Sequence, residues 1–261
     1  MASSPVVQMT DGRTPLRADL SGVRGVDLHS QYHSPRCGGD FFDAVSVGSR
    51  VIFFLSDIAG RKNEAHTIAA KTQDMFRGNV QKIFGAADAN LVEATAELVQ
   101  ELNRSLIHAS NGVHYAPTFV GCFDVDLGIL AYINAGGQSA ILGESDGARV
   151  LSNASVPMGL FSHFTYEPSM QMFEPEARLL IVTKGVTHGS QGHTEFGADK
   201  LARLVEGSKA TTAAELCQEA LLTVHELRRP PWYKRLFPWQ KVVPEDMTAV
   251  VMVRRGPDST G

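Results

Sequence analysis

Apolar and polar positions recur along the chain with two periods. From Val26 to Tyr32 the run Val-Asp-Leu-His-Ser-Gln-Tyr alternates, which predicts a half-buried strand. A second strand follows Asp40, and Arg50 to Asp57 reads as its hairpin partner. Within that partner, Val51 to Leu55 (Val-Ile-Phe-Phe-Leu) is too short and too rich in β-branched and aromatic residues for a helix. It predicts a buried strand that delivers Asp57 to its end. The period then lengthens. Ala65, Ile68, Ala69, Thr72, Met75, Phe76, Val80 and Ile83 fall on one face of a long helix. Beyond Gly85, Asn90 with Glu93 has the spacing of a capping box and opens a second helix along Leu91, Ala94, Leu98, Leu102 and Leu106. So short a connection predicts an antiparallel helix pair.

The middle of the chain returns to strands. Thr118 to Val125, Gly128 to Asn134 and Ser139 to Leu142 are separated by turn signals, Asp126 before Gly128 and then Gly136-Gly137, and together predict a β-meander. Arg178 to Thr183 reads as another buried strand, ending at Lys184-Gly185. A short helix covers Gly197 to Glu206. Thr212 with Glu215 opens a longer one striped by Leu216, Ala220, Val224 and Leu227. Thr248 to Arg254 is the last strand. Strands, two helices, strands, two helices and a strand predict an α+β layered sandwich.

Composition narrows the function classes. The 261 residues fit one large domain or two small ones, and no internal repeat or second domain is visible. Residues 1–22 mix Ser, Pro, Gly, Thr and Asp and read as a disordered lead, with the domain spanning 23–256. A net charge of −4 gives no support for nucleic-acid binding. Cys37, Cys122 and Cys217 lie far apart without CxxC spacing, so neither a disulfide framework nor a zinc cluster is expected and a reducing compartment fits. No apolar run approaches a membrane span, and the chain reads as cytoplasmic.

The candidate chemistry lies in acids beside glycines. Gly38-Gly39-Asp40-Phe41-Phe42-Asp43 and Ser56-Asp57-Ile58-Ala59-Gly60 each place an acid at a strand end. A carboxylate is costly to bury unless a metal or donor offsets it, so a hard-cation site is indicated, with turn-capping acids as the plainer reading. Asp43 reads as a structural hydrogen-bonding acid. The nine histidines show neither HExxH nor His-x-His spacing, which speaks against zinc.

These two stretches, with Tyr-Ile-Asn-Ala-Gly (132–136), Pro-Met-Gly-Leu (157–160), Thr-Lys-Gly-Val-Thr (183–187), Phe-Gly (196–197) and Glu-Asp-Met-Thr (245–248), form an ordered set. The set resembles the bacterial stage-II-sporulation-E-type phosphatases, relatives of protein phosphatase 2C within the metal-dependent protein phosphatases. The resemblance runs from about Val23 to Arg255. It implies a four-layer α-β-β-α sandwich, two antiparallel sheets flanked by helix pairs. It also implies two Mn²⁺ or Mg²⁺ ions that direct water onto phosphoserine or phosphothreonine. By position, Asp57 would be shared by both ions with the Ile58 carbonyl beside it. Asp246 would be a second direct ligand, and Asp40 an outer acid acting through water. Glu245 would stand just behind them. The implied partner is a phosphoprotein, such as a small anti-sigma-factor antagonist.

The chain departs from this pattern in its charges. Thr183-Lys184-Gly185 puts a cation where the family has a metal-binding aspartate, and Gly60-Arg61-Lys62 replaces Gly-His-Gly. Ser56 replaces a glycine, and Gly137 a histidine. Lys184 can exclude an ion, swing out to water, or pair with Asp57 or Asp246 in the ion's place. Arg61 and Lys62 are candidates to grip phosphate. Two readings stay open: a working phosphatase, or a pseudophosphatase that binds a phosphorylated or acidic partner. Arg228 to Trp239 holds both tryptophans among basic residues. It reads as a surface loop, a protein-docking loop or a contact with anionic lipid.

Overall fold

In the computed structural model the described residues are 6–7, 17–18, 25–33, 39–59, 62–86, 88–152, 154–187, 196–227 and 246–256. Two short strands, β1 (Val6–Val7) and β2 (Arg17–Ala18), pair antiparallel. Part of the segment expected as a disordered lead is therefore paired, and the rest of 1–22 lies outside the described residues. Then come β3 (Val26–His33), β4 (Asp40–Val47), β5 (Arg50–Asp57), α1 (Lys62–Phe84) and α2 (Leu91–Ser110). The chain continues through β6 (Thr118–Asp124), β7 (Ile129–Ala135), β8 (Ser139–Glu144), β9 (Gly147–Val150), β10 (Ala154–Ser155), β11 (Ser169–Met172) and β12 (Arg178–Val182). It closes with α3 (Lys184–Thr187), α4 (Ala198–Gly207), α5 (Ala213–Leu227) and β13 (Met247–Arg254).

One sheet has the order β10-β7-β6-β5-β4, with β11 also on β7, and the other the order β3-β13-β12-β8-β9. Every pairing in them is antiparallel except the two-residue contact of β10 with β7, a small departure from the expected all-antiparallel sheets. Because both faces of each sheet are covered, strand side chains divide between two cores. On β5, Ile52 and Phe54 face α1 and α2, where they meet Phe76, Val80, Leu98 and Leu102. Val51, Phe53 and Leu55 point the other way, between the sheets, against Leu142, Leu179, Ile181 and Val250. Beyond the second sheet, Ile141, Leu180 and Val251 pack on Leu201, Leu216, Ala220 and Val224 of the C-terminal helices. The α-β-β-α sandwich is thus present, with three apolar layers between its four structural ones.

Both expected helix caps form. The Asn90 side chain accepts from the amides of Val92 and Glu93. Thr212 and Glu215 exchange bonds reciprocally, the Glu215 amide to the Thr212 hydroxyl and the Thr212 amide to the Glu215 carboxylate. The expected meander is corrected. β6 and β7 pair, but β8 leaves for the other sheet, where it pairs with β12 and β9. The Asn134 side chain donates to the Gln138 carbonyl and accepts from its amide at 2.7 and 2.8 Å. Gly136 turns the chain at φ 101°, a conformation open to glycine. This turn carries the chain across the gap between sheets.

Asp43 has the structural role expected of it. Fully buried on β4, it accepts from Arg77 Nε at 2.7 Å, Arg77 Nη2 at 3.1 Å, Gln73 at 3.0 Å and the Ala44 amide at 2.9 Å. Burial still holds its carboxyl above the usual range, with Arg77 opposing that shift. The pair fastens α1 to the sheet. Arg77→Met, which takes the charged partner from a buried carboxylate still bonded to Gln73 and the Ala44 amide, is expected to cost about 1–3 kcal/mol in urea unfolding at neutral pH. The double variant Asp43→Leu/Arg77→Met should recover most of that loss.

Candidate metal centre

Four strand ends meet where the two sheets open. β4 begins at Asp40 and β5 ends at Asp57, and the two residues stand directly opposite in the ladder. From the other sheet, β12 runs into Thr183 and Lys184, while Asp246 and Thr248 stand at the start of β13. The Thr183 amide donates to the Thr248 carbonyl at 3.0 Å, and the Thr248 amide to the Thr183 hydroxyl at 3.1 Å. Both hydroxyls then donate to Asp40 Oδ2, Thr183 at 2.7 Å and Thr248 at 2.6 Å. Asp40 is 9% exposed and both threonines are fully buried. Burial pushes the Asp40 carboxyl well above the usual carboxylate range. The charges of Asp57 and Asp246 add to that shift, and the two threonine bonds oppose it.

The structure therefore brings Asp57 and Asp246 within reach of the charge of Asp40. Gly39 makes the approach of the next strand possible. The Ile58 amide donates to the Gly39 carbonyl at 2.9 Å, and a Cβ on Gly39 would stand 1.9 Å from the Ile58 oxygen. The loop after Asp57 is tied on its other side, with the Asp57 amide on the Pro117 carbonyl at 2.9 Å and the Ala59 amide on that of Tyr115 at 3.0 Å. Ser56 bonds the Thr118 hydroxyl, which itself donates to Ala116. The side chain of Gln138 reaches Pro117 at 3.0 Å, so the Asn-Ala-Gly turn supports the same loop.

Residues 48–255 match the family of stage II sporulation protein E (SpoIIE). The chain belongs to that family. Among solved structures, the PP2C phosphatase domain of SpoIIE from Bacillus subtilis, with a fragment of its regulatory domain, matches at TM-score 0.68 and 16% identity, over 89% of this chain and 63% of that one. The RsbU and RsbW domains of Rv1364c from Mycobacterium tuberculosis match at TM-score 0.67 and 23% identity, over 90% and 63% of the two chains. RsbX in complex with magnesium matches at TM-score 0.58 and 12% identity, over 87% and 95%. This chain thus spans less than two thirds of the first two, and the likeness establishes a PP2C-like fold.

In this SpoIIE-family domain, Lys184 opens α3 with its side chain exposed. Among the described residues no ion pair joins it to Asp57 or Asp246. Lys62 is the first residue of α1. Arg61, Glu245 and the stretch Arg228 to Trp239 lie outside the described residues. Among those described, no three His, Cys, Asp or Glu side chains form a ready-made cage for a metal. The donor set nevertheless suits a hard dication. A buried Asp40 carboxyl with Asp57 and Asp246 near it would be relieved by one, with backbone carbonyl and water completing its shell. Sequence reasoning missed Thr183 and Thr248 as partners of Asp40, and missed Gln138. Polar residues at strand ends carry no local signal of a partner that far away.

Two outcomes test this geometry. In metal-free protein, ionised Asp40 costs stability in full above its raised folded pKa and not at all below its unfolded value near about 3.9. Asp40→Asn should therefore raise the urea midpoint in EDTA at pH 7, with the gain vanishing as pH falls through that window. Gly39→Ala should cost about 1–3 kcal/mol or more, because the added methyl meets backbone that cannot rotate away.

Proposed function

We propose that this domain is a metal-dependent protein serine/threonine phosphatase. The observation that carries the reading is the convergence of Asp40, Asp57 and Asp246 at one mouth of the sandwich, where burial and then the charges of the other two push the Asp40 carboxyl up. Membership of the SpoIIE family supports it. Asp57 and Asp246 would hold Mn²⁺ or Mg²⁺ with the Ile58 carbonyl beside Asp57. Bound there, a dication makes water a better nucleophile and offsets phosphoryl charge. Asp40, fixed by its two threonines, serves as the outer acid that orients water. Water adds to phosphorus, the bond to the serine or threonine oxygen breaks, and the leaving oxygen takes a proton as inorganic phosphate departs. Arg61 and Lys62, which follow Asp57 in sequence, would grip the substrate phosphate.

We place this activity in cytoplasmic signalling, on a phosphoprotein such as a small anti-sigma-factor antagonist. The RsbU and RsbW domains among the structural neighbours favour that class. Cys122 and Cys217, both buried free thiols, suit a reducing compartment. No helix among the described residues is long and apolar enough to cross a membrane.

Lys184 favours a second reading, a pseudophosphatase that binds a phosphorylated or acidic partner. An ammonium about 4 Å from a dication would be repelled by roughly 8 kcal/mol at an effective dielectric near 20. Its exposed position lets the side chain stay in water, which supports one firm metal position rather than two. Calorimetry with Mn²⁺ on the wild type and on Lys184→Asp, with p-nitrophenyl phosphate turnover alongside, separates the readings. Binding and turnover by the wild type are expected. Their appearance only in Lys184→Asp would make the natural domain a recognition module.

A further inference from the structure

Between Asp57 at the end of β5 and Lys62 at the start of α1 the chain has only four residues in which to leave the sheet and enter a helix. This connection begins with the Ile58 carbonyl, so its course decides how the metal centre is presented. Its first part is held by backbone bonds, the amides of Asp57, Ile58 and Ala59 going to Pro117, Gly39 and Tyr115. The carbonyl of Ala59 is met instead by a side chain, His114 Nδ1, at 2.6 Å. A carbonyl oxygen can only accept, so Nδ1 carries the hydrogen. The other ring nitrogen, Nε2, faces the Glu64 carboxylate in the first turn of α1 at 3.4 Å. One rigid ring thus touches the connection just before its middle and again just after it enters the helix.

His114 is itself well anchored. Its side chain is only 14% exposed, although it lies in a loop. Two residues on, Ala116 and Met158 exchange both backbone bonds, at 2.8 and 3.1 Å. Gly159 lies so close that a Cβ there would stand 2.5 Å from the His114 carbonyl oxygen. The ring is thus held through Nδ1 on the Ala59 carbonyl and through a tightly packed backbone. Neither this residue nor its partners Ala59 and Glu64 belongs to the acid cluster.

We propose that His114 is a positioning residue of the metal centre. By holding the Ala59 carbonyl it steadies the backbone at 58–59 that follows Asp57, and so fixes Asp57 and the Ile58 carbonyl for the cation. This rests on the phosphatase-type metal site proposed above, and the closing experiment separates the two. Groups that orient metal ligands from behind are worth about 10–100-fold in metal affinity.

The test uses the full chain as wild type, His114→Asn, His114→Gln and His114→Ala. An asparagine amide can reach where Nδ1 stands, and a glutamine amide where Nε2 stands. Mn²⁺ affinity is measured by calorimetry, and amide exchange of residues 58–60 is followed in EDTA. His114→Gln and His114→Ala are expected to bind Mn²⁺ about 10–100-fold more weakly and to exchange faster at 58–60, with His114→Asn within about threefold of wild type in affinity. A structural role alone would make Asn as harmful as Ala; that result, or four proteins alike, overturns the proposal. If the wild type takes no Mn²⁺, the metal reading fails by itself. Exchange in EDTA then decides His114: faster exchange in Gln and Ala, but not Asn, supports its hold on the connection, and equal exchange in all four removes it.

Discussion

One carboxylate oxygen joins the two sheets at the end where the candidate centre lies. Asp40 belongs to β4 of the first sheet, and the hydroxyls that donate to it come from the chain after β12 and from β13 of the second. Elsewhere the sheets meet through apolar side chains, which can slide at little cost. Two short bonds to one oxygen cannot. They fix the relative height of the sheets, and with it the distance between acids on different strands. The arrangement carries a penalty, since Asp40 is buried beside two other carboxylates. The fold tolerates that frustration at the one place where a cation could relieve it.

How much of this could be read from the sequence depends on the range of each interaction. Helix α2 was legible because Leu91, Leu98 and Leu102 repeat at helical spacing and Asn90 caps its own next turn. Strand β5 was legible because both its faces are buried, leaving an unbroken apolar run. The departure of β8 was not, because a glycine turn of the same composition serves a hairpin or a crossing equally well. In the site, Asp40 and Asp57 stood out as acids beside glycines. Thr183 and Thr248 did not, since they meet Asp40 across 143 and 208 residues. The reason for Gly39 appears only once the Ile58 carbonyl is seen against it.

Lys184 follows Thr183 directly and opens α3 with its side chain exposed at the mouth of the sandwich. Arg61 and Lys62 follow Asp57 closely in sequence, so three cationic residues stand near the acids along the chain. An exposed cation such as Lys184 can change which anion approaches, and how firmly a cation is kept, without disturbing the packing beneath.

The place of β13 has a consequence for the order in which the molecule comes into being. This strand lies between β3 and β12, so the second sheet lacks a central member until the chain has been made past residue 246. Asp246 and Thr248 arrive with it. A nascent chain can build the first sheet and its helices, but it carries Asp40 without one of its hydroxyl partners and the centre without one of its acids. Whatever the mouth of the sandwich binds, it cannot begin before β13 has paired with β3 and β12. Until residues 246–248 are in place the domain is silent.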